Sequence, residues 1–378
     1  MKTKLATSIA YLEDGMRQGL HIGAQVCVML RGEIVADFAI GLAREGQPMR
    51  SDHRILWLSA GKPLLAVALM QLWERGLVSL DAPVSQYLPE FSQHGKDAVF
   101  VQHLLTHTHA YQPPAVDWPR LGWDEIIASI CAARIPEGRV PGDYAAYDPQ
   151  TGWYLLAEIL QRLTGRRFYE YLQAEVLQAA GCEASSIGMG ADQYKDLVAG
   201  DQLALLHDTT VTARAGQLNE GLAPVWAGDN AARAAAHNPG GGAVGPAKDL
   251  CRFYAALGEA LKGSDSKKLL NAKTLRFMTS RVRAGLLDHS FKQRVDWGLG
   301  FLINSRRYGG EATPYGYGTL ASDSTFGHGG VQSTTAYYDP ECGLAVACKF
   351  NGLPGEAKHN KRVRDFNTLL YTDLKSIL

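Results

Sequence analysis

Two strand-like stretches at opposite ends of the chain constrain the fold more than any other feature. Near the start, "AQVCVMLRGEIVADFAIG" (24–41) reads as two strands joined at Arg31-Gly32-Glu33, with glycine at the turn. Near the end, "STFGHGGVQSTTAYYDP" (324–340) and "CGLAVACKFNG" (342–352) are strand-like, with Asp339-Pro340-Glu341-Cys342-Gly343 as the turn between them. "WGLGFLI" (297–303) gives a further short run. Between the ends the pattern is helical: "VFVQHLLTHT", "WDEIIASICAARI", and "TGWYLLAEILQRLTGRRFYEYLQAEVL", which Gly165 divides in two. Residues 183–236 show weak periodicity and read as irregular. "AKDLCRFYAALGEAL", "NAKTLRFMTSRV" and a closing segment from about Ala357 are helical again.

Strands at both termini around a helical middle predict an α+β fold. Its antiparallel sheet is formed from both chain ends and flanked by helices. The expected division is residues 1–90 with 237–378 as one lobe and 91–236 as an inserted, mainly helical lobe, with a cleft between them. No internal repeat, low-complexity tract or linker interrupts this plan.

The 38 basic and 38 acidic residues balance, so nothing favours nucleic acid or an anionic membrane as partner. In "MKTKLATSIAYLEDGMRQGL", Glu13 and Asp14 break the apolar patch, which suggests an amphipathic helix rather than a signal peptide. No stretch reaches the roughly 18 apolar residues that a membrane span requires. Cys27, Cys131, Cys182, Cys251, Cys342 and Cys348 form no CxxC pair and read as reduced, buried thiols. A cytoplasmic location is the corresponding expectation.

"WLSAGKPLLAVALMQLWERG" (57–76) carries the chemistry. Ser59 and Lys62 are three positions apart at the start of an apolar helix, on one face and within reach of each other. Pro63 suits a first helical turn and Gly76 ends the helix. A serine hydroxyl needs a base to become a nucleophile. For Lys62 to be that base, its ordinary pKa of about 10.4 must fall to about 7, which burial achieves at a cost of about 4 kcal/mol. The competing structural reading is a capping serine beside a lysine that snorkels to water.

The segment continues as "LVSLDAPVSQYLPEF" (77–91), and with it resembles the serine β-lactamase and penicillin-binding-protein superfamily, in its class C-like and family VIII carboxylesterase branch. The matching positions are Leu80, Asp81, Pro83, Val84, Tyr87, Leu88, Pro89 and Phe91. "VQHLLTHTHAY" is similar to the family's Leu-Leu-Thr-His-Thr-Ser-Gly passage, with His109-Ala110 in place of Ser-Gly. "NPGGGAVGPAKDLCRFYAAL" and the closing strands also resemble family passages.

The resemblance implies a β-lactamase-like fold in which Ser59 is acylated and Lys62 accepts its proton. Tyr147 in "DYAAYDPQTGWYLL" would be the second acid–base group, with Tyr144 as its rival; the Asn that lactamases carry two residues later is missing. His328-Gly329-Gly330 would replace the usual Lys-Thr-Gly and bind substrate, and the N–H groups of Ser59 and Val331 would form the oxyanion hole. A histidine, mostly neutral at pH 7, in place of that lysine favours uncharged esters or amides over β-lactam carboxylates.

The implied function is a serine hydrolase, first a carboxylesterase on small uncharged esters, without cofactor. Alternatives are an acyltransferase, a D-amino-acid peptidase or weak β-lactamase, and a catalytically silent scaffold. Trp153 and Trp297 are pocket-wall or core aromatics. His103, His107 and His109 lack the carboxylate or cysteine that would complete a metal set. "PGGGAVG" lacks the Lys-Ser/Thr of a phosphate loop and reads as a backbone turn near the pocket.

Overall fold

The computed structural model describes residues 5–116, 120–215, 237–263, 269–309, 314 and 316–378. The two ends of the chain do share one sheet. From edge to edge its strands are Leu302–Ile303, Phe326–Gly330, Thr334–Asp339, Leu344–Phe350, Gly23–Leu30, Glu33–Arg44 and Gln47–Pro48. Every pairing is antiparallel, and Gly23–Leu30 lies against Leu344–Phe350 with Val28 opposite Val346. The hairpin turn puts Arg31 and Gly32 at φ 53° and 93°, the two left-handed residues that suit a two-residue connection.

The central strands are buried on both faces, which is why their sequences run apolar without alternation. Val26, Val28, Leu344 and Val346 face a core shared with Leu12, Phe366 and Leu370, from the N-terminal helix Ala6–Arg17 and the C-terminal helix Glu356–Leu374. Cys27, Met29, Ala345 and Ala347 face the opposite core, where helix Ala247–Leu261 packs. That second core continues through helix Lys62–Glu74 to helices Trp123–Cys131 and Thr151–Thr164. Among the described residues no helix is long and apolar enough to cross a membrane.

Several expected elements are shorter than the sequence suggests. "WGLGFLI" contributes only Leu302–Ile303, because Gly300 takes φ 79° and a Cβ on Gly298 would lie 2.1 Å from the carbonyl of Met278. The segment expected to be irregular holds helix Ala191–Ala199 and short strands at Ser186–Ile187 and His207–Asp208, while 216–236 lies outside the described residues. "VFVQHLLTHT" is helical only over Val101–Leu105. The loop after it turns back with His107 at φ 57° and Ala110 at φ 63°.

Ala110 occupies the place where the family passage carries glycine, and its left-handed backbone costs a residue with a Cβ about 1–2 kcal/mol. Ala110→Gly should therefore stabilise the protein by about 1 kcal/mol. Urea unfolding checks this, and an unchanged or lowered midpoint at constant m-value would count against it.

Candidate active site

Ser59 does not sit in the first α-helical turn. It lies in a single 3-10 turn, Leu58–Gly61, and Lys62 is the first residue of the α-helix that follows. The turn is set by Leu58, whose φ of 53° is strained for a side-chain-bearing residue at about 1–3 kcal/mol. It is clasped from outside by the strand Ala243–Gly245. Ile55 and Leu56 pair with Gly245 and Val244, and Trp57 N–H donates to the Ala243 carbonyl at 2.7 Å. Gly61 fits only as glycine, since a Cβ there would stand 2.6 Å from the Cβ of Ala243.

Lys62 is fully buried, like the helix around it. Its Nζ bonds the Ser59 Oγ at 2.9 Å and donates to the Gly240 carbonyl. Burial pushes the amine down to about 7, partly opposed by the negative charge of Asp148. Gly240 belongs to the "PGGG" turn, where its N–H donates to the Asn238 Oδ1 at 2.8 Å. A Cβ on Gly240 would meet the Pro149 carbonyl at 2.7 Å, so this turn approaches the site as bare backbone.

Tyr147 comes from the other side, its Oη donating to the Ser59 Oγ at 2.9 Å. Burial raises its pKa well above the ordinary phenol value, so it keeps its proton at neutral pH. Its N–H donates to the Asp288 Oδ1 at 3.1 Å, and the Ser290 hydroxyl donates to its carbonyl at 2.9 Å. Its ring lies between Phe291 (centroids 5.0 Å apart), His107 (4.7 Å) and Trp297 (5.8 Å). Asp288 is itself buried and paired with Arg283 at 2.8 Å. Tyr144 is placed elsewhere, its ring stacked on His289 at 4.6 Å with the Arg139 guanidinium 4.3 Å from its centroid.

Asp148 caps helix Thr151–Thr164, accepting from the N–H groups of Gln150, Thr151 and Gly152 and from the Thr151 hydroxyl. His107 accepts the Asp148 N–H on Nδ1 at 3.1 Å, and burial keeps this ring neutral. His109 stacks on Tyr111, its Nε2 3.2 Å from the Asp148 carboxylate but off the line of a hydrogen bond. His103 accepts the Phe100 N–H at the start of its own short helix.

A cleft of about 530 Å³ opens over Ser59, with Leu58, Tyr147, Pro149, Phe291 and Val331 among its walls. Val331 is exposed at the tip of strand Phe326–Gly330. His328 is buried behind the cleft, its Nδ1 2.7 Å from the Gly329 carbonyl. Burial first, then the charge of Lys62, pushes this histidine down to about 3. Gly330 makes room for the protein itself: a Cβ there would lie 2.4 Å from the Trp57 carbonyl. Trp153 and Trp297 are both buried core aromatics. No lysine, arginine or histidine lines the cleft among its described residues, whereas Glu356 does.

The sequence reading missed Asp288 and Phe291, and no local signal marks them, because they lie 141 and 144 positions from Tyr147 (288 − 147 and 291 − 147). Asp148 had a readable signature, an aspartate ahead of "PQTG" at a helix start.

A both-ends antiparallel sheet on which a hydroxyl, a buried amine and a phenol converge defines a protein of β-lactamase-like fold. The chain belongs to the Beta-lactamase family, whose model matches residues 9–368. It is 32% identical over 191 residues to the esterase EstB of Burkholderia gladioli, a match covering 46% of this chain and 48% of that protein. The chain thus spans about half the length of that curated relative. Among solved structures, a penicillin-binding protein homologue from Caulobacter crescentus superposes with a TM-score of 0.77 at 24% identity, covering 98% of each chain. A family VIII carboxylesterase superposes with a TM-score of 0.76 at 25% identity, covering 98% of this chain and 97% of its own.

Burying Lys62 has a price in stability. Its folded-state pKa lies below the unfolded value, so the unfolded chain binds more protons between about pH 7 and 10.5 and stability rises with pH across that window. Lys62→Met should be more stable than the wild type near pH 6.5, by on the order of 2–4 kcal/mol, and the advantage should shrink toward pH 9.5. Chemical unfolding at both pH values measures this; a difference independent of pH would contradict it.

Proposed function

We propose that the protein is a carboxylesterase acting on small uncharged esters through an acyl-enzyme on Ser59. The observation that carries this reading is the water-excluded Lys62 amine hydrogen-bonded to the Ser59 hydroxyl. The neutral amine takes the Ser59 proton as Oγ attacks the ester carbonyl. The N–H groups of Ser59 and Val331, both on residues that line the cleft, receive the developing oxyanion. Tyr147, protonated and bonded to the same hydroxyl, passes a proton to the departing alkoxide and is reprotonated from Lys62. Water then attacks the acyl carbonyl by the reverse sequence and frees the acid and Ser59.

The absence of a cation among the described cleft residues supports a neutral substrate, since a β-lactam or peptide carboxylate would find no oppositely charged side chain among them. His328, buried and neutral, would shape the strand behind the substrate. In this reading residues 91–236 form the lobe that supplies Tyr147, and the remainder of the chain supplies Ser59 and Lys62. The free thiols, five of them buried, support a reducing, cytoplasmic setting.

A fluorophosphonate probe should label the wild type and leave Ser59→Ala unlabelled; absence of labelling in both would favour a silent scaffold. With a short-chain ester, kcat/KM should rise with pH through an apparent pKa near the value of about 7 given for Lys62, since protonation removes the base. Tyr147→Phe should lower kcat by at least about 10²-fold. Full activity in that variant would remove Tyr147 from the mechanism. Added alcohol separates hydrolysis from transfer, and product partition far above the alcohol's mole fraction would identify an acyltransferase instead.

A further inference from the structure

Val331 lines the cleft and is exposed, yet an oxyanion donor must be held within a fraction of an ångström. Ser333 N–H closes the turn on the Gly330 carbonyl at 3.0 Å. Gln332, inside it, has φ 49°, a left-handed conformation that persists only where the surroundings impose it. Two clasps do so. The Gly355 N–H donates to the Gln332 Oε1 at 2.6 Å, and the Gln332 carbonyl accepts from Nη2 of Arg362 at 3.0 Å.

Arg362 is 1% exposed and unusual in its company. Its guanidinium also donates to the carbonyls of Leu20 (2.8 Å) and Gly352 (3.1 Å), and to Nδ1 of His359 (2.9 Å) and of His21 (3.2 Å). It lies 3.9 Å from the Phe350 ring centroid. Burial makes both histidines poor bases, with the Arg362 charge adding to the effect, so each accepts as a neutral ring. Among the described residues no carboxylate pairs with Arg362. A buried cation without a counter-ion is a costly way to stabilise a core, and an apolar residue would fill the volume more cheaply. What the planar fork supplies is direction: it ties the Gln332 carbonyl to the N-terminal segment, the sheet and the C-terminal helix at once.

We propose that Arg362 is a positioning residue for the oxyanion-binding turn, fixing Gln332 so that the Val331 N–H points into the cleft. This rests on the acyl-enzyme reading above. Arg362 acts without touching substrate, and it belongs to an element that the Ser-Lys-Tyr chemistry does not otherwise use.

The test is Arg362→Lys, which keeps the charge and loses the fork, assayed with a short-chain ester and with phenylboronic acid, which forms a tetrahedral adduct on the serine. The expected result is a kcat lowered about 10- to 100-fold with KM nearly unchanged, and boronate affinity weakened by a similar factor. A purely structural role would lower the melting temperature but leave kcat per folded molecule and boronate affinity intact, and that result overturns the proposal. Should Arg362→Lys fail to fold, Arg362→Met decides, since an apolar side chain of similar length fills the volume without the donor to the Gln332 carbonyl: a several-fold or greater loss of kcat per folded molecule supports the proposal and no loss overturns it. Ser59→Ala is assayed alongside. Retained activity there defeats the acyl-enzyme reading itself, whereas a dead Ser59→Ala beside a fully active Arg362→Lys defeats only the positioning role.

Discussion

The amine of Lys62 lies out of reach of water, with the Ser59 hydroxyl on one side and the Gly240 carbonyl on the other. A lysine in that position is tolerable only if it can shed its proton, and once neutral it can accept one from the serine. Much of the local architecture follows from this requirement. The helix that carries the lysine is buried from Lys62 to Leu72, with no wet face toward which the side chain might snorkel. The Gly240 turn must come within bonding distance of it, and it does so packed against the Pro149 carbonyl, which leaves no room for a side chain at that position. Gly61 must let the strand Ala243–Gly245 close over the turn that bears Ser59.

The phenol opposite is built by another route. Tyr147 belongs to no helix or strand, so its place is fixed by contacts: Asp288 at its backbone, and His107, Phe291 and Trp297 around its ring. Asp288 in turn depends on Arg283, whose guanidinium reaches the Thr106 carbonyl at 2.9 Å. The loop carrying His107 and the small hairpin that pairs Leu287–Asp288 with Gln293–Arg294 are therefore held together beside the tyrosine. Strained backbone at Leu58 and His107, the buried charges and the dry lysine all cost stability, and the large core formed by the two faces of the sheet offsets them.

Much of this was legible in the sequence, for identifiable reasons. The terminal strands announced themselves as apolar runs flanking glycine turns, and the helices by periodicity. Ser59 and Lys62 were readable as a pair because three residues along a helix is a short-range relation. Tyr147 came only through family resemblance, since its approach to Ser59 spans 88 positions. Illegible were the features set by long-range contact: the left-handed Leu58 that moves Ser59 out of the α-helix, and the carbonyl of Met278 that breaks "WGLGFLI". Equally illegible is the tight approach at Gly330, whose missing side chain admits the Trp57 carbonyl and so seats the Ser59 turn on the strand.

The most direct measurement is an NMR titration of the Lys62 side chain, with lysine labelled at Cε and the resonance assigned through Lys62→Arg. A neutral, buried base requires a titration near the value of about 7 that burial imposes. A midpoint near the ordinary lysine value of about 10.4 would mean a charged amine beside Ser59 at neutral pH, and the account of how the serine is activated would be wrong.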